Sequence, residues 1–239
     1  MSHILVFFVL LDLLNTSNSG DVTINVNDPP IDPNLLSYKF AIIWPKGYGI
    51  HFGRDLSKLS DRFTIHGLWA IDRSKPKPPP SSQKFNFTLL SDISRDMEYD
   101  WPNIMNYGDQ TKNKEFWAHE WVDHGRFDPN FSNNFHEYFS HALKFFGYLD
   151  ATNIIIKKSG RPNTPESLRE ALANNDRKKP FLLCASDETN IYLSEIHFCM
   201  DYTAYIFVDC AVPKPEPLLK SDCIEGQPFL YSCVDCFLN

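Results

Sequence analysis

Two short segments of this 239-residue chain place histidines among aromatic residues, where an imidazole has a defined environment for proton transfer. The first segment, FTIHGLW, contains His66, and the second, FWAHEWVDHG, contains His119, Glu120 and His124. Free imidazole has a pKa of about 6.5, so it donates or accepts protons at mildly acidic to neutral pH. A lone histidine in an apolar strand is commonly structural, but the second cluster favours general acid–base catalysis.

The second segment has the spacing of a short helix over residues 116–125. Trp117 and Trp121 stand one turn apart and are expected to be buried, which would anchor the helix. Glu120 and His124 also stand one turn apart, so they would share another face of the same helix. The pattern therefore predicts a rigid helix that presents a carboxyl group and an imidazole together.

A metal site is the first alternative, since HEWVDH is similar to the zinc-binding pattern HExxH. Its second histidine comes five residues after the first rather than four. Each helical residue turns by roughly 100°, so the imidazoles of His119 and His124 would point roughly 140° apart. We therefore expect no shared zinc ion and a reaction that needs neither metal nor cofactor, and the metal alternative stays open.

Two-histidine chemistry suits RNA because this substrate carries its own nucleophile, the ribose 2′-hydroxyl group. One imidazole removes the proton of that hydroxyl, and another protonates the departing 5′ oxygen. A cation or a proton donor supports the negative charge on the phosphoryl oxygens. Acid–base transphosphorylation of RNA by two histidines therefore explains the residue types of the two segments better than a metal site does.

The elements that must position these residues are strands and helices mixed along the chain, which favours one α+β domain over a parallel sheet. Strict alternation along the strand around His66 would place Thr64, His66 and Leu68 on one face and Phe63 and Ile65 on the other. We expect strands at 38–44, 62–69, 180–184, 191–199 and 202–210, helices at 116–125, 135–146 and 165–174, and a Pro-rich surface loop at 75–82.

The net charge and the N-terminal residues indicate how the chain would bind RNA and where it would be located. The net charge of -7 argues against a broad basic surface for nucleic acid but leaves room for a local phosphate pocket. Residues 1–20 combine an apolar run with a small polar end, which is typical of a secretory signal peptide; a buried N-terminal helix is the alternative. We therefore expect residues 21–239 to form a secreted domain, extracellular or vacuolar, monomeric and without membrane contact.

The cysteines and glycosylation patterns agree with a secreted chain. All 6 cysteines lie in the last quarter, where an even number favours disulfides whose pairing stays open from spacing alone. Cys233 and Cys236 form a CxxC pair near the C-terminus, for which we favour a disulfide over a redox or zinc role. Asn86 and Asn130 each begin an Asn-x-Ser/Thr pattern and are candidate glycosylation sites.

The two histidine segments resemble the active-site signatures of the ribonuclease T2 family, which includes plant S-RNases and S-like RNases. Those signatures are similar to FTIHGLWP and FWEHEWEKHGTC, and here they read FTIHGLWA (63–70) and FWAHEWVDHGRF (116–127). The resemblance implies a single domain with a central antiparallel β-sheet flanked by helices. It extends over about residues 38–223 through FAIIWP (40–45), KPFLLC (179–184) and LSEIHFCMD (193–201).

The resemblance also implies a role for each matching residue. His66 would be the proton donor, His124 the general base and Glu120 the active-site carboxylate. Substrate would be bound at its phosphate by His119 and at a base by Trp69 and Phe116. The family pattern would pair the cysteines as Cys184–Cys223 and Cys199–Cys210, which leaves Cys233 and Cys236 to pair with each other.

Several positions depart from the family pattern. Asp123 stands where the family has an active-site lysine, so an anion replaces a cation near the phosphate, one helical turn from His119. Arg126 follows closely and would compensate in part. Ile43 replaces a glutamine, which puts the second base subsite in question. A proline and a cysteine of the signatures are Ala70 and Phe127 here, and no cysteine precedes Cys184.

These departures motivate a second hypothesis, a catalytically impaired family member that acts as an RNA-binding, storage or defence protein. A pistil recognition protein is less favoured, since S-RNases tend to be basic and this chain is acidic. The leading hypothesis is an active, secreted endoribonuclease that cleaves single-stranded RNA through 2′,3′-cyclic phosphates. Asp123 is expected to reduce its rate.

Overall fold

The computed structural model describes most of the region between Leu36 and Leu230. No helix in this part of the chain is both long and apolar enough to cross a membrane. The expected signal peptide (1–20), the Pro-rich loop (75–82) and the CxxC pair of the C-terminus lie outside the described residues. The described ranges are 36–72, 84–128, 130–131, 134–149, 163–173, 179–187, 190–201, 207–208, 210, 223 and 228–230.

The strands are β1 (Leu36–Ile43), β2 (Thr64–Asp72), β3 (Phe181–Ser186), β4 (Ile191–Asp201) and β5 (Phe207–Val208). They form one antiparallel sheet in the order β2-β1-β4-β3, and the short β5 pairs with β4 beyond the end of β3. The expected α+β class with a central antiparallel sheet is therefore confirmed. In this sheet β2 is an edge strand, which matters because it carries His66.

Five helices surround the sheet in the described ranges. Short 3-10 turns connect them at Leu56–Lys58, Phe87–Leu90, Ile104–Asn106 and Gly125–Phe127. The helices are α1 (Pro45–His51), α2 (Ser94–Asp100), α3 (Gln110–Asp123), α4 (Phe135–Leu149) and α5 (Pro165–Ala173).

Two helix boundaries differ from the expected ones for local reasons. α3 begins well before residue 116 because the Asp109 side chain caps it, accepting hydrogen bonds from the backbone N–H groups of Thr111 and Lys112 at 2.9 and 3.1 Å. The expected helix stop at Gly147 is wrong, since α4 continues to Leu149. The side chain of Leu149 is buried in the core, and this packing extends the helix past the glycine.

The main hydrophobic core joins helices α2 to α5 to one face of the sheet, whereas Tyr48 of α1 packs in a second, smaller cluster. Tyr38, Phe40 and Ile42 alternate along β1 and are fully buried. Trp117 and Trp121 of α3 belong to the same cluster and are also fully buried. Burial of a large apolar side chain stabilises the fold by roughly 1.5–3 kcal/mol. The two tryptophans therefore anchor α3, as their spacing predicts.

Two disulfides lie within the described ranges, Cys184–Cys223 and Cys199–Cys210, and these are the pairs that the resemblance implies. Cys184 belongs to β3 and Cys199 to β4, so both bridges fasten the C-terminal part of the sheet. The elements that carry the two histidine segments contain no cysteine. Apolar packing and side-chain hydrogen bonds must therefore hold that half in place.

Candidate active site

His66 occupies a bulge in the edge strand β2. Ala41 of β1 faces Gly67, and the next residue of β1 faces Ile65, so His66 is an extra residue without a partner of its own in the register. Such a bulge re-aims the side chains around it. Ile65 and Leu68 both lie in the core, while the His66 ring points to the other face of the sheet. The expectation that His66 and Leu68 share a face is wrong, because the bulge breaks the alternation.

Aromatic donors hold the backbone on the free edge of β2. The Trp101 indole N–H donates to the backbone carbonyl of His66 at 2.8 Å, and the Tyr138 hydroxyl donates to that of Leu68 at 2.9 Å. The Trp117 indole N–H donates in turn to the backbone carbonyl of Trp101 at 2.7 Å. The first two bonds satisfy β2 carbonyl groups that no strand in the described ranges pairs with, and they fix the backbone from which the His66 imidazole projects.

The His66 side chain is held from β4 by a buried carboxylate. Nδ1 of His66 donates to Oε2 of Glu195 at 2.9 Å, and Nε2 of His197 donates to the same oxygen at 2.8 Å. Glu195 and His197 are 7% and 5% exposed. Neither residue was expected in the site from sequence reasoning. A signal was present, because two titratable residues at i and i+2 interrupt an otherwise apolar strand.

Electrostatics around His66 favour its protonated form. Burial of the His66 imidazole opposes the charge, but the charge and hydrogen bond of Glu195 outweigh burial and raise the pKa of His66. Burial also opposes ionisation of Glu195, yet His66 and His197 hold the pKa of this carboxyl well below its usual value. Burial lowers the pKa of His197. These shifts favour a positive charge on His66 over one on His197, next to an ionised Glu195.

His124 lies beyond the end of α3 rather than on it. The helix ends at Asp123, and His124 follows as its cap with non-helical angles, φ −128° and ψ −65°. As a result, ligand atoms of His119, Glu120 and His124 all lie within 4.8 Å of one another. The expectation that the two imidazoles diverge is wrong, because helical rotation does not extend to His124. These three side chains are also the group that could hold a metal ion in the described ranges.

Glu120 is buried beneath the site and is fixed by Trp69. Its side chain is almost fully buried, and Oε2 accepts a hydrogen bond from the Trp69 indole N–H at 2.9 Å. Burial raises the pKa of Glu120, although His66 and the Trp69 hydrogen bond act in the opposite direction. Gly67 makes this approach possible, since a Cβ atom there would overlap with both Nε1 of Trp69 and Oε2 of Glu120.

The Trp69 indole packs against three imidazoles at once. Its ring centroid lies 5.0 Å from His66, 5.3 Å from His124 and 5.6 Å from His197. The ring of Phe116 lies 6.2 Å from that of His66. Both aromatic residues that the resemblance assigns to base stacking are therefore next to His66, and both are partly exposed.

The departures from the family pattern take different positions. The carboxylate of Asp123 lies 3.0 Å from Nδ1 of His119, and both side chains are more than half exposed. The guanidinium carbon of Arg126 lies 5.0 Å from the ring centroid of Phe127. Ile43 is buried in a small apolar cluster with Leu59 and Ile104. Asp123 therefore lies directly against His119, and Ile43 contributes packing rather than a polar group.

The two candidate glycosylation sites differ in what their side chains contact. Both residues are exposed, and the side-chain oxygen of Asn86 accepts hydrogen bonds from the backbone N–H and hydroxyl of Thr88 at 3.1 and 2.7 Å. The Asn130 amide nitrogen, the atom to which a glycan would be attached, donates to the Tyr38 hydroxyl at 3.0 Å.

Comparisons with known sequences agree with the two histidine segments. A model of the ribonuclease T2 family matches residues 37–210. Ribonuclease S-3 of Pyrus pyrifolia is 30% identical over 168 residues, which cover 67% of this chain and 74% of the relative. A ribonuclease-like storage protein of Panax ginseng is 28% identical over 180 residues, which cover 72% of this chain and 74% of the relative.

Solved structures share the same fold. Ribonuclease MC1 from the seeds of bitter gourd superposes with a TM-score of 0.61 at 25% identity, covering 74% of this chain and 94% of that one. RNase NT, solved in complex with 5′-AMP, superposes with a TM-score of 0.64 at 22% identity, covering 82% and 98%. With the matching signatures, sheet and histidine site, this chain belongs to the ribonuclease T2 family, a family of RNA-cleaving endoribonucleases.

Proposed function

We propose that this chain is a secreted endoribonuclease that cleaves single-stranded RNA with two histidines and without a metal ion. The observation that carries the proposal is the position of His66 and His124 around Trp69. These imidazoles come from different elements and lie 5.0 and 5.3 Å from one indole ring. Two proton-transfer groups at one surface can act on the two ends of a single phosphodiester linkage.

In the proposed mechanism His124 is the base and His66 is the acid. His124 accepts the proton of the ribose 2′-hydroxyl, whose oxygen attacks phosphorus, while Nε2 of His66 gives a proton to the departing 5′ oxygen. The products are a 2′,3′-cyclic phosphate and a free 5′-hydroxyl. In a slower second step the roles reverse, and water opens the cyclic phosphate to a 3′-phosphate.

Charge on the phosphoryl oxygens is supported by the end of α3. His119 is exposed and faces the same space as His124, with ring centroids 6.3 Å apart. Ligand atoms of Glu120 lie within 4.8 Å of those of His119 and His124, so its carboxyl group would help to orient them against a phosphoryl oxygen. The two side chains would thus stabilise the transition state together, and Arg126 would add long-range positive charge.

The proposed substrate is single-stranded RNA because unpaired bases are free to stack. Trp69 and Phe116 present partly exposed rings beside His66, and stacking on such rings tolerates every base. The related RNase NT binds the nucleotide 5′-AMP in its solved structure. The net charge of -7 favours a local site over a broad basic surface.

Secretion is part of the same proposal. The apolar N-terminal run, the disulfides and the two glycosylation patterns all suit the secretory pathway, with an extracellular or vacuolar destination and a monomeric protein. Expression of the full chain in secreting eukaryotic cells tests this. Protein in the medium should begin near residue 21, whereas an intact N-terminus retained in the cytosol would contradict secretion.

Digestion of single-stranded RNA with and without EDTA tests the mechanism. We expect cleavage at mildly acidic pH that EDTA does not change, and its loss in both His66→Ala and His124→Ala. His136→Ala is the matched control, since His136 pairs with Asp92 on the surface and should leave cleavage unchanged. Full activity in both site variants would refute the two-histidine mechanism. Loss with EDTA and recovery with zinc would favour a metal at His119, Glu120 and His124.

A second candidate is a catalytically impaired family member that acts as an RNA-binding, storage or defence protein. The ion pair of His119 and Asp123 favours it, because an anion occupies one end of the phosphate site. The Panax ginseng relative is named a ribonuclease-like storage protein. RNA binding without turnover by the unmodified chain would support this candidate over the active enzyme.

A further inference from the structure

We propose that Glu195 is a positioning residue for His66 and that His197 fixes the Glu195 carboxylate for that task. The inference rests on the proposed function, in which His66 is the acid. It assigns a role to two β4 residues outside both histidine segments. An imidazole that donates one ring N–H to a carboxylate is held in place by that hydrogen bond, and its other ring nitrogen can contact substrate.

The sheet register brings the three side chains together. Glu195 of β4 faces Ile43 of β1, and His197 faces Ala41, so the two β4 side chains lie on the face opposite to the core. Ala41 also faces Gly67, next to the bulged His66. A single strand therefore separates the β4 carboxylate from the β2 imidazole, and the small side chain of Ala41 leaves space between them.

Both imidazoles bind the same carboxylate oxygen. Oε2 of Glu195 accepts from Nδ1 of His66 at 2.9 Å and from Nε2 of His197 at 2.8 Å. Because the carboxylate accepts in both cases, Nδ1 of His66 carries a hydrogen in either protonation state, and Nε2 remains for the leaving oxygen. The second donor keeps the carboxylate from turning away when substrate binds.

The carboxylate also sets the charge of His66, and every element packed around that ring contributes. Glu195 and Glu120 favour the charged imidazole from β4 and α3, and burial opposes it. Tyr48 of α1 lies 6.0 Å from the ring, and burial with both carboxylates raises the pKa of Tyr48 to about 12, so it stays neutral. Burial lowers the pKa of His197, which disfavours a second positive charge beside His66.

The substitution Glu195→Gln removes the negative charge of the side chain and keeps its shape. The amide keeps an oxygen that accepts from Nδ1 of His66, but it loses the charge. We expect the alkaline limb of the kcat/KM profile for the dinucleotide UpA to move down by about one pH unit or more, with KM little changed. Glu98→Gln, on the exposed surface of α2, is the matched control and should keep the original profile.

The pKa of His66 measured by NMR separates this inference from the proposed function. Titration of the imidazole protons should give a lower pKa in Glu195→Gln than in the unmodified chain or in Glu98→Gln, whether or not RNA is cleaved. An unchanged pKa of His66 in a folded Glu195→Gln variant would overturn the inference. Absence of RNA cleavage by the unmodified chain would overturn only the proposed function.

His197 is tested by two variants that differ in one donor. His197→Gln can still donate from an amide nitrogen to Glu195, whereas His197→Leu cannot. We expect kcat to fall at least tenfold in His197→Leu and to recover largely in His197→Gln, with similar near-UV circular dichroism in both. Equal kcat values in the two variants would contradict the role of His197 in fixing Glu195.

Discussion

The Trp69 indole N–H donates a hydrogen bond to Oε2 of Glu120 at 2.9 Å and thereby links the first histidine segment to the second. The same indole ring contacts the imidazoles of His66 and His124. Trp69 therefore does more than offer a surface for a base. It sets the distance between the strand that carries the proposed acid and the helix end that carries the proposed base.

Trp69→Phe tests this link, because phenylalanine keeps a stacking ring and loses the donor. A hydrogen bond to a buried carboxyl group contributes on the order of 1.5–3 kcal/mol. We expect kcat to fall roughly tenfold to a hundredfold, while KM for a dinucleotide changes little. Tyr148→Phe, at an exposed position of α4, is the control for removing an aromatic donor. A raised KM with unchanged kcat would show that base stacking alone matters.

Gly67→Ala should damage the site without disturbing the core. The added Cβ would overlap with Nε1 of Trp69 and Oε2 of Glu120, so the hydrogen bond between them cannot keep its geometry. We expect a loss of activity comparable to that of Trp69→Phe.

Gly147→Ala in α4 is the matched control for this substitution. Within the described ranges, nothing beyond the backbone of α4 and the two neighbouring residues lies within 4 Å of the Cβ atom that alanine would add there. The change should stabilise the helix by roughly 0.5–1 kcal/mol and leave activity unchanged. Equal activity in both alanine variants would contradict the role of Gly67.

Asp123→Lys should increase turnover. Replacement of the anion next to His119 by a cation favours the charge that develops on the phosphoryl oxygens. We expect a gain of roughly tenfold or more in kcat/KM at low salt, and a smaller gain as ionic strength rises. Glu115→Lys makes the same change of charge about two turns earlier on α3, and its activity should stay close to that of the unmodified chain. A drop in activity for Asp123→Lys would show that the ion pair helps the reaction.

Asp128 should make the protein more stable in mild acid. Its buried carboxyl accepts from the Tyr38 hydroxyl and the Asn130 backbone N–H, but burial dominates and raises the pKa to about 6. An unfolded aspartate has a pKa of about 3.9. The stabilising contribution of Asp128 to the free energy of unfolding is therefore fully present below that pH and is lost as pH rises through 6.

Asp128→Asn should therefore flatten the pH dependence of the free energy of unfolding between about pH 4 and 7.5, by on the order of 3 kcal/mol. Urea unfolding at both pH values measures the effect. Asp96→Asn, at an exposed position of α2, should leave the pH dependence unchanged. The same pH dependence in Asp128→Asn and the unmodified chain would exclude Asp128 as its source.

Glycosylation should favour Asn86 over Asn130. Both asparagines are exposed. Asn86 uses its side-chain oxygen in a local turn, whereas the amide nitrogen of Asn130 donates to the Tyr38 hydroxyl. We expect Asn86→Gln to remove most of the glycan mass of protein secreted by eukaryotic cells, and Asn130→Gln to remove little. Mass spectrometry before and after enzymatic deglycosylation makes the comparison, and a glycan carried solely by Asn130 would contradict it.

The two histidine segments, the strands and the α+β class could be predicted because each depends on local pattern. The spacing of Trp117 and Trp121 predicts their helix, and the composition of FTIHGLW predicts its strand. The bulge at His66 could not be predicted, because it exists only in the register between β2 and β1. For the same reason, the prediction from strict alternation that Leu68 and His66 share a face of the strand is wrong.

Glu195 and His197 illustrate a second limit. Their alternation in LSEIHFC marks one polar face of a buried strand, but no local pattern says which strand lies beside it. β4 pairs with β1 rather than with β2, and a distant part of the chain thus brings Glu195 to His66. The position of His124 just past the last helical residue likewise depends on where α3 ends, and helix ends are the least predictable feature of a sequence.

The extra residue in β2 makes the length of this strand as important as its composition. Deletion of Thr64 or Ile65 would restore regular pairing with β1 and turn the His66 imidazole towards the apolar core. Insertion of one residue there would shift the register of β2 and displace the Trp69 indole from Glu120. During evolution, descendants of this chain can exchange side chains around the histidine, but insertions and deletions there should be eliminated by selection.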